Sequence, residues 1–277
     1  WKYIVSECSK RNITVLSFGG DGDTRVLKAM KLSASLAISK SDPLLQHVPS
    51  PPLGFPDLPK SWHSWFHITP KSIAYVQDVV HIAVKLKSRL LKPSIILPMG
   101  MYTATPRHLH SLQTTFSKDQ HGLRDKDLSH KDRQNFDAVL HIVNASHLLD
   151  KIKDASATKI YIELIGCIVD SFLDKSLDPV VRIEKVWYAV FFLRYWCEWI
   201  LLHPSYTLKQ NFVTSNAYMC VELCAHALIT YLITMRDHFP SVHHDCFAPW
   251  LLGSQTCEKT FRAVRSMSTM FSTVKAI

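Results

Sequence analysis

The chain has no uninterrupted run of the ~20 apolar residues that a membrane span needs. Its most apolar stretch, residues 186–202, holds Arg194 and Glu198 four residues apart, which suits a core helix rather than a lipid-facing one. Glycine is scarce, at 8 of 277 residues. No Gly-x-x-x-x-Gly-Lys phosphate loop occurs, so no nucleotide cofactor is read from the sequence. There is no internal repeat and no low-complexity tract. The seven cysteines are odd in number, scattered and partly embedded in apolar segments. That pattern argues against a disulfide framework and for reduced thiols in an intracellular protein. No secretory leader opens the chain, and its first residue is Trp1 rather than Met, as in a fragment or a processed protein. The expected setting is the nucleus or cytosol, not a membrane and not the secreted space.

With 47% hydrophobic and 20% charged residues, the composition is that of a globular protein, one large domain or two ordinary ones. The net charge is +9 and the pI about 9.2. A basic balance favours a polyanionic partner, with DNA, RNA and an anionic membrane surface all compatible; a merely basic soluble protein fits equally.

The pattern along the chain is α/β with predominant helix. A helix end over 2–11 precedes a strand over 13–18, which enters the turn Gly19-Gly20-Asp21-Gly22-Asp23-Thr24 and a helix from about Arg25. Six prolines between 42 and 60 demand an extended loop. His67–Thr69 fits the end of a strand, and residues 73–91 read as a helix with Lys85, Lys87, Arg89 and Lys92 towards its exposed side. From there the chain reads as helical. Thr105-Pro106 and Asp178-Pro179 are helix starts, and Ser129-x-x-Asp132 looks like a capping box. An aromatic cluster follows over 187–199, then an apolar helix over 217–235. Gly253-Ser254 caps a last helix from Gln255.

Three constellations could bear chemistry. The turn Gly20-Asp21-Gly22-Asp23 is read in three ways: a tight turn with a helix cap, a phosphate cradle, or a metal-binding aspartate. Asp78-x-x-His81 places a carboxylate and an imidazole on one helix face with Lys85 a turn further, either as a local hydrogen bond or beside a metal site. In the last helix Gln255, Glu258, Arg262 and Arg265 fall within an arc of about 80°, at ~100° per residue. They form a surface ion pair, or a metal carboxylate with arginines for phosphates.

In this order the three segments resemble cut-and-paste transposases of the P-element and hAT kinds. Those enzymes have an RNase H-like core, an Asp–Asp–Glu triad and a helical insertion before the glutamate. Asp21-Gly22 is similar to the second-aspartate segment, Asp78-x-x-His81…Lys85 to the downstream Asp-x-x-His…Lys segment, and Ser254-Gln255…Glu258…Phe261…Arg265 to the glutamate segment. The resemblance implies a partial RNase H-like core over 1–98, a helical insertion over 99–250 and a closing core helix over 251–277. It implies DNA cleavage and strand transfer by two Mg²⁺ ions ~4 Å apart. Asp21 and Glu258 would be the catalytic metal ligands, and Asp78, His81 and Asp23 supporting residues. Lys85, Lys87, Arg262 and Arg265 would contact phosphates. Only twenty residues precede Asp21, too few for the family's first aspartate, so no cleavage is expected of this chain alone. A non-catalytic DNA-binding or interaction protein is the alternative, with self-association left open. A lipid or NAD kinase is a further alternative from the Gly-Gly-Asp-Gly turn, although Asp23 stands where those kinases have threonine. A zinc site from His243, His244, Cys246 and Cys220 or Cys224 fits no standard ligand spacing.

Overall fold

The computed structural model describes residues 2–33, 73–132, 134–241 and 247–274. The expected loop over 42–60, the strand end at 67–69 and the residues His243, His244 and Cys246 lie outside them. Helix α1 (Lys2–Ser9) precedes β1 (Ser17–Gly20), which leads into α2 (Thr24–Ser33). Strand β2 (Ala74–Gln77) is followed at once by α3 (Val79–Leu91). β1 and β2 are parallel, in a register that runs from Ser17↔Ala74 to Gly20↔Gln77. The strand expected over 13–18 therefore sits later in the chain. The helix expected from residue 73 begins only after Asp78, because 74–77 are taken into pairing with β1.

The expectation of continuous helix beyond α3 misses a hairpin, β3 (Leu97–Met99) and β4 (Tyr102–Ala104), antiparallel around Gly100. Gly100 has φ 61°, a backbone state natural to glycine. Helices α4 (Pro106–Thr115), α5 (Lys118–His121), α6 (Asp137–Asn144), α7 (Ser156–Leu173), α8 (Pro179–Leu202), α9 (Leu208–Asn211), α10 (Ser215–His238) and α11 (Gln255–Val274) complete the order. The Thr105 and Asp178 caps form as expected, each side chain accepting from the N–H just after the proline, that of Arg107 and of Val180. The Ser129 capping box does not. Ser129 closes a 3₁₀ turn, and α6 begins later, where the Asn135 side chain accepts from Ala138 N.

α3, α7, α8 and α10 enclose the core, with α10 laid across β2. Tyr161 on α7 donates to Leu86 O at 2.9 Å, and Trp196 on α8 donates to Pro98 O at 2.7 Å, fastening the hairpin. The aromatic cluster of α8 is divided: Trp187 and Trp196 are buried, whereas Tyr188 and Tyr195 face outward. α10 is long and apolar enough to cross a membrane by length and composition, yet 67% of its apolar window is buried inside the protein. Among the described cysteines none is bonded to another, and Cys220 and Cys224 are buried on α10. No β-rich lobe follows β1 among the described residues, unlike the lobe order of a lipid or NAD kinase.

Between α8 and α10 lies a fully enclosed ion pair. Arg194 Nε and Nη2 donate to Glu222 Oε1 and Oε2 at 2.8 and 2.6 Å, with the guanidinium over the Trp187 and Phe191 rings. Removing one member leaves a buried charge. Glu222→Ala is expected to cost about 3–5 kcal/mol in urea unfolding, while Arg194→Met with Glu222→Leu recovers most of that loss.

Candidate functional site

The parallel pair brings two aspartates to one edge. Asp21 and Asp78 each follow the last residue of their strand, and Gly20 and Gln77 are register partners. Asp78 N donates to Gly20 O at 2.6 Å, which carries the pairing one step further. This is the carboxyl end of the strands, where open α/β sheets place ligands.

Asp78 is buried and heavily used. Its Oδ1 caps α3 by accepting from Val80 N at 2.8 Å and His81 N at 3.4 Å. Its Oδ2 accepts from Ser254 N at 2.9 Å and Ser254 Oγ at 2.6 Å. The start of α11, distant in sequence, is thereby held against the start of α3. Glu258, one turn into α11, is reached by the same Ser254 hydroxyl at 2.9 Å. His81 lies between the two carboxylates, with Nδ1 3.6 Å from Asp78 Oδ1 and Nε2 3.9 Å from Glu258 Oε1. Ligand atoms of Asp78, His81 and Glu258 all lie within 4.8 Å of one another.

Two glycines make this approach possible. A Cβ on Gly19 would stand 2.8 Å from Leu252 O, and one on Gly253 would stand 3.3 Å from Asp78 Oδ2.

The electrostatics follow from the packing. Burial opposes ionisation of Asp78, but the contacts from His81, Ser254 and Val80 N outweigh it and hold the carboxyl at about 2. The Asp78 carboxylate raises His81 against the opposing effect of burial, with added attraction from Glu258 and Asp21. A serine hydroxyl has one proton. Ser254 Oγ touches a carboxylate oxygen on each side, so one of those contacts needs a further proton or a cation to be attractive. The donor set of two carboxylates and an imidazole suits Mn²⁺ or Zn²⁺ as well as Mg²⁺, which prefers oxygen alone.

The other anticipated residues divide. Asp21 is exposed at the rim, its Oδ1 accepting from Asp23 N at 3.1 Å. Asp23 is a helix cap instead of a supporting residue: its Oδ1 accepts from Arg25 N and Val26 N at 2.9 and 3.2 Å. Lys85 Nζ donates to Asn216 Oδ1 at 2.9 Å and Gly22 O at 3.3 Å, tying the Asp21 turn to α10. Lys87 cannot reach a phosphate. It is buried, and its Nζ donates to Asp132 O and Asn135 O at 3.1 and 3.3 Å. Arg262 forms a 3.6 Å ion pair with Glu258 and is otherwise open to solvent; Arg265 lies on the same exposed helix. Ser254, which the sequence places at the helix cap and in the glutamate segment, is the residue that touches both Asp78 and Glu258. No family model, curated protein or solved structure matches the chain.

Asp78 stabilises the fold fully above the ordinary carboxylate range, and this contribution fades as pH falls through about 2. His81 contributes fully below the ordinary imidazole range and loses its part as pH rises through its raised value. Asp78→Ala is expected to lose about 2 kcal/mol at neutral pH in urea unfolding, with most of that difference gone at pH below the Asp78 value. Gly19→Ala drives a methyl against the Leu252 carbonyl and should cost about 1–3 kcal/mol by thermal unfolding.

Proposed function

We propose that the cluster is a divalent-cation site for phosphoryl transfer on DNA, in a transposase-like protein with an RNase H-type arrangement. The observation that supports this reading is the meeting of Asp78, His81 and Glu258 from two segments far apart in sequence, beside Asp21 at the end of a parallel strand pair. A cation bound there supplies the positive charge that stabilises charge developing on a scissile phosphate. Glu258 and Asp78 would hold it, with Asp21 approaching from the rim. His81, half exposed between the carboxylates, would complete the ligand set through Nε2. Arg262, one turn beyond Glu258, would offer its solvent-facing guanidinium to a neighbouring phosphate.

The four hydrogen bonds already accepted by Asp78 favour a second reading. In it the carboxylate only locks α3 to α11, and the protein binds DNA without cleaving it. Titration with Mn²⁺, followed by electron paramagnetic resonance, separates the two. The first reading expects one saturable site that weakens at least tenfold in Glu258→Gln and His81→Ala and tightens as pH rises, because protons compete for His81. A wild-type chain that holds no Mn²⁺ at millimolar concentration leaves only the second.

A further inference from the structure

We infer that a second site, a pocket between the end of α3 and the start of α10, binds a phosphate group. The pocket has a volume of about 520 Å³ and is lined by Lys85, Arg89, Lys92 and His130, with Ser88, Ser94 and the α10 cap residue Thr214 among the remaining wall. Among the described residues, no lining residue is acidic.

Arg89 is the decisive member. It is only 8% exposed. Its Nε donates to Phe212 O at 2.8 Å and its Nη2 to Lys209 O at 2.6 Å. Both partners are neutral carbonyls, and Nη1 makes no protein hydrogen bond among the described residues. A fixed, largely dehydrated guanidinium without a carboxylate is costly to keep charged, and burial indeed works against its charge. An anion in the pocket removes that cost. Among the described residues Lys85 is likewise bonded to neutral oxygens, Gly22 O and Asn216 Oδ1. Lys92 is exposed at the mouth. The α10 amino terminus adds its partial positive charge to the same wall.

Three cations, an imidazole and three hydroxyls, with no acid among the described lining residues, match a tetrahedral oxyanion. The position suggests which phosphate. His81, Lys85, Ser88 and Lys92 recur at helical spacing along one face of α3, so the pocket mouth lies ~16 Å along the helix from the carboxylate cluster. A strand with its scissile bond at the cluster would lay a later phosphodiester here. That choice of source rests on the proposed function; affinity for phosphate itself does not.

The test uses the full chain with divalent ions chelated, so that failure of the cation site cannot obscure the result. Inorganic phosphate is titrated by calorimetry, and a fluorescent single-stranded DNA by anisotropy. The expected result is binding of both, weakened at least tenfold in Lys92→Glu and in Ser94→Glu, two exposed positions whose variants keep the wild-type circular dichroism. For Lys92→Glu the slope of log affinity against log salt should also fall by about one. Phosphate binding that DNA cannot displace upholds the pocket as a free-phosphate site and counts against the DNA reading. If neither ligand binds, or both variants bind like wild type, the inference is overturned.

Discussion

The Asp78 carboxylate is the interaction on which the arrangement depends. It ends β2, caps α3 and receives both the N–H and the hydroxyl of Ser254, so one side chain joins the sheet, the first core helix and the last helix. Each contact is charge-assisted and shielded from water, which is why the carboxyl stays ionised despite its burial. The side chains of α11 from Lys259 to Ser266 are exposed, Phe261 and Val264 among them.

The positive charge of the chain is unevenly deployed. Part of it is structural. Lys87 on α3 is buried and satisfies backbone carbonyls of a distant loop, and Arg89 does so through Nε and Nη2 while also lining the pocket. Arg182 does the same between α7 and α8, donating to Ser171 O and Leu177 O and to Asp174 O. These cations stitch irregular backbone that would otherwise lack donors. Another part sits close to open acceptor space, in Lys92 at the pocket mouth and Arg262 beside Glu258. A net charge of +9 therefore overstates what is available to a polyanion.

The cluster itself balances two uses of the same groups. Asp78 and Ser254 build the joint between helices, while Glu258 and His81 keep partly exposed atoms turned to a common point.

The predominance of helix, the starts of α4 and α8, and the strand–turn–helix around Asp21 were legible in the residues alone, because caps, prolines and apolar spacing act within a few residues. The sequence also named Asp78, His81 and Glu258 as the groups to watch. Their arrangement follows from contacts between segments far apart in the chain. The parallel pairing of β1 with β2 converted the expected start of a helix at 73 into a strand and set Asp78 next to Asp21. Packing against the loop after Ser129 turned Lys87 inward, although its helical position looked solvent-facing. Asp23 caps α2 through a local contact with its first-turn amides, one of the readings the turn itself offered. The meeting of Ser254 and Glu258 with a helix some 175 residues earlier has no local signal at all; it arises from long-range packing that brings the two segments together.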